Sequence, residues 1–283
     1  MTPALAALVA LLAAGPAPPT MTSPEEFVAA VRGATSRYHD RELAVADGYR
    51  LIGGDFPAMG EHWINIGLVF GLEHDPMRPE FLTYVTVDGK PRLTGVAYAV
   101  PLMPGELPPA WPWAGGRWHD HARTVDEETL LPHAGHAGHE AGDGEESAQQ
   151  PRLAMAHAWV WLANPDGDFA ADNWAIPYFR LGLDRPADAP VACAKALSLA
   201  SGGAEHLAGV LEAAGAHAPS ERKAVRKALE RAQRSVAEIL RGRGGPRLDA
   251  SRLSALADQW ARLWMDLDRA LPEATRSRLA AFR

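Results

Sequence analysis

The sequence predicts an α+β protein: an N-terminal helix, then an antiparallel β-rich domain that is barrel- or sandwich-like, then a C-terminal α-helical segment. Two observations predict this order. Apolar residues alternate at every second position in the first part of the chain, and recur every three or four positions in the last part. After Pro186 the composition also shifts to Ala, Leu, Arg and Glu. We therefore expect a β-rich domain over residues 23–186 and a helical domain over residues 187–283.

The charges divide in the same way. The formal net charge of −7 argues against a general nucleic-acid-binding protein. Residues 187–283 contain 16 Lys and Arg against 11 Asp and Glu, whereas residues 1–186 contain 12 against 24. The two segments should therefore have different surfaces, and the C-terminal helices could mediate association into an oligomer.

The first residues have the composition of an export signal. Residues 4–14 are apolar and match the length of a signal-peptide core, and small residues and prolines follow them. No Lys or Arg precedes the run, so an alanine-rich disordered tail is the alternative. With residues 1–20 as a signal peptide, the mature protein would be periplasmic or extracellular. No later stretch is apolar for long enough to span a bilayer, so we expect no stable membrane insertion.

The first predicted element is a helix that begins after Ser23. Ser23 is a good N-cap, Pro24 suits the first helical position, and two glutamates follow at the positive end of the helix dipole. Apolar residues continue at helical spacing as far as Tyr38. Gly48 is expected to end the helix.

Alternation predicts the strands that follow. A strand over residues 62–70 would bury every second side chain, including the histidine at its start. Residues 81–87 and 92–100 flank Asp88-Gly89, a strong signal for a tight hairpin. Residues 155–162 should form a further strand. Its buried face would carry Met155, His157, Trp159 and Trp161.

Residues 132–150 are a different kind of segment, with almost no large apolar side chains and many Gly, Ala, acidic and His residues. We expect a disordered surface loop here. Its His133, His136 and His139 could chelate Zn, Cu or Ni weakly, as histidine-rich tracts do. A solvated insertion without metal is the alternative.

The last segment predicts a small helical bundle. Helical periodicity covers four stretches and a short final helix, at about residues 190–201, 204–215, 220–242 and 249–269. The apolar stripe of the fourth helix fits core packing, and we assign no chemistry to this segment. The single cysteine, Cys193, rules out an intramolecular disulfide and a cysteine-based metal cluster.

Four histidines are the candidate metal ligands: His62, His119, His121 and His157. His119 and His121, two residues apart on a strand, project to one side and can share a cation. His62 and His157 lie on apolar strand faces, where an imidazole is kept neutral, and neutral imidazole is the form that binds metals. We expect a divalent ion, Zn or Cu, and no other cofactor.

A tryptophan lies within two residues of a histidine in three segments, AMGEHWIN, WHDH and AHAWVW. This pattern suggests a dry, Trp-rich pocket around the histidines, with Glu61 or Asp120 orienting the rings. An acid among residues 126–128 could add a ligand. The alternative is a set of satisfied core histidines that do not converge.

Three classes of function remain open at this stage. The first is an exported metal-binding protein for binding, storage or delivery. The second is a metal-dependent hydrolase or oxidoreductase with an open coordination position, in which Glu61 or Glu127 would act as base. The third is a module without metal that binds an apolar ligand or is structural. No catalytic residue is assigned, because phosphate-loop, nucleophile-elbow and H-E-x-x-H motifs are absent from the sequence.

The order of the blocks also resembles a family of exported bacterial proteins without known activity. Its members carry a Met-Gly-x-His block and a later His-x-Trp-x-Trp block that ends in Asn-Pro-x-Gly-x-Phe. The resemblance covers roughly residues 34–182. It implies export but no reaction. The matching residues are Met59, Gly60, His62 and Asn65 in the first block, and His157, Trp159, Trp161, Asn164, Pro165, Gly167 and Phe169 in the second.

Overall fold

The computed structural model describes residues 21–71, 74–113, 118–121, 152–280 and 283. These residues form an N-terminal helical region, one antiparallel sheet and a C-terminal group of helices. The predicted α+β class and the predicted order of its parts are confirmed. The predicted signal peptide (1–20) and histidine-rich loop (132–150) lie outside the described residues.

The N-terminal region contains two α-helices joined by a 3-10 turn: α1 (Pro24–Thr35), the turn (Ser36–His39) and α2 (Arg41–Ala46). The Ser23 hydroxyl accepts a hydrogen bond from the Glu26 N–H, which confirms the predicted start. The single long helix that we predicted is interrupted because the Asp40 carboxylate accepts from the Glu42 N–H and begins a new helix. Gly48, with a φ of 100°, follows the end of α2.

Among the described residues, the sheet has six strands: β1 (Arg50–Phe56), β2 (Gly60–Ile64), β3 (Phe81–Val87), β4 (Lys90–Leu102), β5 (His119–His121) and β6 (Arg152–Ala158). Their order is β1-β2-β3-β4-β6-β5, and all neighbours are antiparallel. β1 and β5 are the edges. Within the residues that the structure describes, the sheet is therefore not closed into a barrel.

Local chemistry explains where the strands turn and stop. Asp88 and Gly89 have φ values of 50° and 71°, as the tight hairpin between β3 and β4 requires. β2 ends at Ile64, short of the predicted strand over 62–70. The Asn65 side chain accepts from the N–H groups of the next turn and starts α3 (Ile66–Val69). Phe70 is consequently 70% exposed, not buried.

The two faces of the sheet bury different cores. The face that we call the helix face packs against Phe27 and Val31 of α1. It includes Leu82, Tyr84, Val96 and Tyr98, and Val160 joins the same cluster just after β6. The opposite face, the histidine face, carries two smaller clusters. One contains Phe81, Ala97, Ala99 and Met155, and the other contains Phe56, Val85, Trp159 and Ile176.

Six helices follow the sheet: α4 (Ile176–Arg180), α5 (Val191–Ser198), α6 (Gly203–Ala213), α7 (Pro219–Leu240), α8 (Ala250–Ala270) and α9 (Glu273–Arg278). α5 to α8 lie within a few residues of their predicted positions. Their apolar core begins at Tyr178. Arg180 of α4 forms an ion pair with Asp55 of β1, which ties the helices to the sheet. None of the helices in the described ranges is both long and apolar enough to cross a membrane.

Candidate metal centre

Strand register places three of the four predicted ligands on the histidine face. His62 is paired with Thr83, His157 with Ala97, and His119 with Met155. Residues directly opposite each other in antiparallel strands project to the same side of a sheet. Phe81 is paired with Ala97 and lies two residues before Thr83 on β3. The residues paired with His62 and with His157 are therefore on the same face. His62, His119 and His157 therefore share one face, although they belong to β2, β5 and β6.

His62 and His157 meet across two intervening strands. β2 and β6 are separated by β3 and β4, a span of about 14 Å in a flat sheet. Their Nε2 atoms are nevertheless 3.2 Å apart. Besides Phe81, which packs against His62, the face between the two side chains carries the small residues Thr83, Gly95 and Ala97. The imidazoles can lean towards each other because the positions directly beside them on β3 and β4, Thr83 and Ala97, carry small side chains.

His119 approaches the same group from the edge strand. Its ring lies 5.2 Å from the ring of His157, centroid to centroid, with 20° between the planes. The exposed fractions of His62, His119 and His157 are 7%, 8% and 2%. All three imidazoles are thus buried on one side of the sheet.

The shell around these rings is aromatic but holds one tryptophan rather than several. Trp159 stacks on His157 at 5.7 Å, and Phe56 and Phe81 meet His62 at 5.9 and 6.2 Å. The other tryptophans near these histidines in sequence, Trp63, Trp118 and Trp161, pack in the helix-face cluster. The prediction of a Trp-rich pocket is wrong in this respect. Adjacent residues of a strand project to opposite faces, and the chain leaves the sheet before Trp161.

The second sequence block holds Trp159 over the histidines. The Trp159 backbone N–H donates to Asp168 O at 2.7 Å, and its Nε1–H donates to Ala170 O at 2.7 Å. The chain turns back between Trp159 and Asp168. In this turn the backbone carbonyl of Asn164 accepts a hydrogen bond from the Gly167 N–H. Gly167 has a φ of 113°, which favours glycine. The Asn-Pro-x-Gly-x-Phe pattern therefore positions Trp159, which stacks on His157 and which we call the lid of the candidate site.

Gly95 allows that lid to close. A Cβ at this position would lie 2.8 Å from Ala158 O, 3.1 Å from Thr83 Oγ1 and 3.2 Å from Trp159 Cε3. Any side chain here would push Trp159 or β6 away from the sheet. No sequence pattern marks Gly95, because its importance depends on the strand register that brings Thr83, Ala158 and Trp159 close to it.

Glu61 is the predicted acid whose side chain the structure describes, and it does not face the three rings. Glu61 accepts from Trp63 Nε1 at 3.0 Å and pairs with Arg41 at 3.4 Å on the helix side. The proposed roles of Glu61 in orienting a ring or acting as base are therefore wrong. Asp120 is paired with Ala154, out of phase with His119, and its side chain is not described. Residues 126–128 lie outside the described residues.

His121 is placed only in part. Its backbone is paired with Leu153 in β5, in phase with His119, but its side chain lies outside the description. In the ranges that the structure describes, no three His, Cys, Asp or Glu side chains are grouped so that they could hold a metal ion. A site of three or more nitrogens therefore depends on His121 or on a rotation of His119.

The pair of His62 and His157 has two chemical interpretations. As neutral rings, one Nε2–H can donate to the other Nε2. As metal ligands, both nitrogens can bind one ion, since two bonds of about 2.0–2.1 Å at a tetrahedral angle place the nitrogens about 3.3 Å apart. The observed 3.2 Å fits either arrangement. An ion would enter between them with little movement of the backbone.

Two ionisable groups with shifted pKa values were not selected from the sequence. Burial raises the pKa of the Asp172 carboxyl to about 7. Burial also lowers the pKa of His206, whose ring lies 5.4 Å from that of Phe56, although the nearby Asp55 opposes the shift. Both residues sit in unremarkable local sequence. Desolvation in the folded chain, not a local motif, shifts both pKa values, so no sequence signal could have identified them.

Comparison of the chain with protein-family models, with curated proteins and with solved structures found no match.

Proposed function

We propose that this chain is an exported protein that binds a Zn or Cu ion through His62 and His157, with His119 and His121 completing the set of ligands. The observation that carries the proposal is the 3.2 Å separation of His62 Nε2 and His157 Nε2. Two strands stand between these residues, so local sequence proximity does not account for the contact. A bound ion would link β2 to β6 across the two intervening strands.

The surroundings favour binding, storage or delivery over catalysis. His62 and His157 are almost wholly buried under Phe56, Phe81 and Trp159. An apolar shell strengthens electrostatic interaction between an ion and its ligands and slows loss of the ion. A hydrolytic metal site would instead need an open position for water and substrate beside the ion.

Replacing His62 or His157 with Gln should remove tight metal binding. Each replacement deletes one of the two converging nitrogens and keeps a polar side chain of similar reach. We expect about one Zn or Cu per chain in the untagged protein and an affinity at least about 100-fold weaker in either variant. Elemental analysis and competition with a chromogenic chelator measure both quantities.

His217→Gln is the matched control, because His217 is an exposed histidine outside the sheet. Its metal content should equal that of the unchanged protein. Thermal unfolding with and without metal separates lost binding from lost folding. An ion that binds only the native state raises its stability, and it should do so in the control but not in His62→Gln or His157→Gln. Equal metal content in all four proteins would contradict the proposal.

A second experiment concerns the edge strand. Replacing His119 and His121 together with Ala should remove most of the bound metal, since both nitrogens would leave the proposed ligand set. The C-terminal helices should keep their helical circular-dichroism signal. Unchanged metal stoichiometry would exclude these two residues as ligands and leave a site based on His62 and His157.

A further inference from the structure

A buried methionine lies beside two of the three histidines, His119 and His157. Met155 is paired directly with His119 across β5 and β6, and it precedes His157 by two residues on β6. All three side chains therefore project from the histidine face. Met155 is 6% exposed and packs in the cluster that contains Phe81, Ala97 and Ala99. From the sequence, Met155 was predicted only to lie on the buried face of a strand. Its thioether sulfur is also a possible metal ligand.

The chemistry of these donors discriminates between metals. Imidazole nitrogens bind Zn and Cu alike, whereas a thioether sulfur is a soft ligand that favours Cu(I) and contributes little to Zn. Carboxylates suit harder ions, and Glu61, the predicted acid whose side chain is described, is turned to the other face of the sheet. The described imidazole and thioether donors on the histidine face are therefore nitrogen and sulfur.

We infer, resting on the proposed function of this site, that its cargo is Cu(I) and that the Met155 thioether is a ligand together with His62 and His157. Cu(I) accepts low coordination numbers, so two buried nitrogens and one sulfur can hold it whether or not His119 and His121 also bind. The inference requires no change in the oxidation state of the ion on binding. It separates a copper carrier from a zinc protein built on the same histidines.

The test compares Cu(I) and Zn(II) affinities of the full chain with those of Met155→Leu. Leu and Met are of similar volume, so the core should keep its packing. Cu(I) is supplied anaerobically with a reductant and competed against a Cu(I) chelator. We expect the variant to bind Cu(I) about tenfold or more weakly, and Zn(II) within about twofold of the unchanged protein.

Met265→Leu is the control, because Met265 is 54% exposed and lies on α8, outside the sheet. Its Cu(I) affinity should not change. X-ray absorption at the copper edge should show one sulfur neighbour in the unchanged protein and none in Met155→Leu.

The outcomes separate the two proposals. If the unchanged protein binds Cu(I) through His62 and His157 but Met155→Leu binds it equally well, the thioether assignment is wrong and the histidine site stands. Equal weakening of Cu(I) and Zn(II) would indicate a packing defect and would also overturn the assignment. If the unchanged protein binds neither ion, both proposals fail together.

Discussion

Replacing Gly60 with Ala should lower the free energy of unfolding by about 3–5 kcal/mol, the largest loss that we expect from a single methyl group here. Gly60 has a φ of 76°, where an L side chain is strained. A Cβ would also lie 2.2 Å from Tyr84 O and 2.8 Å from Val85 Cγ1. The carbonyl belongs to the β3 backbone, so the strand itself must move.

Gly89→Ala provides a matched control for this loss. Gly89 has a φ of 71°, almost that of Gly60, but no atom lies within 4 Å of a Cβ built there. It should therefore lose only about 1 kcal/mol of backbone strain. Urea denaturation of both variants measures the difference. Equal losses at the two positions would show that the close approach of β3 to Gly60 is not maintained in solution.

Gly60→Ala should also affect the proposed metal site. His62 lies two residues after Gly60 in β2, so a displacement of the strand moves its imidazole away from His157. We expect metal affinity to fall together with stability in this variant and to be unchanged in Gly89→Ala. The Met-Gly-x-His block would then be explained as a ligand and the glycine that positions it.

Replacing Asp172 with Asn should have the second-largest effect, and in the opposite direction. Burial raises the pKa of Asp172 to about 7 from 3.8. The charge of Lys195 opposes this shift and that of Asp166 adds to it. Oδ1 of Asp172 has no hydrogen-bond partner among the described residues. Ionising this carboxyl in the folded protein is therefore unfavourable.

The stability effect of Asp172 follows from the direction of its pKa shift. Because the folded pKa is above the unfolded one, the contribution is fully present below about pH 3.8 and is lost as the pH rises through about 7. Asn cannot ionise, so Asp172→Asn should gain about 2–4 kcal/mol relative to the unchanged protein at about pH 8 and little at about pH 4.

Urea denaturation at several pH values measures this gain. Asp188→Asn is the control, since Asp188 is exposed and its replacement should change stability by less than about 0.5 kcal/mol. A gain in Asp172→Asn that does not grow between about pH 4 and pH 8 would contradict the buried, protonated carboxyl.

Much of the fold was predictable from local chemistry. Ser23 as a helix cap, Asp88-Gly89 as a hairpin and the four longer C-terminal helices each follow from the conformational preferences of neighbouring residues. The errors arose where a capping side chain competes with periodicity, as Asn65 does when it ends β2 and starts α3. β1 was missed because its two glycines, Gly53 and Gly54, weaken the strand signal.

The candidate site was predictable in kind but not in assembly. Alternation assigned His62 and His157 to apolar strand faces, and their burial agrees with that assignment. Neither alternation nor spacing could indicate that these rings meet, because this depends on the order of four strands and on Gly95 between them. The tryptophans next to these histidines were assigned to the wrong face. Trp63 and Trp118 pack in the helix-face cluster, on the side opposite the histidines.

The sequence by itself determined the class of the protein, the bounds of most elements and the nature of the candidate ligands, because caps, turns and periodicity act within a few residues of each other. Only the tertiary structure decided which side chains meet. His62 meets His157 at 3.2 Å, and Met155 lies beside His119, although these residues are far apart in the chain. The raised pKa of Asp172 likewise comes from desolvation in the folded chain. Such contacts depend on strand order and register, which are set by the packing of the whole chain.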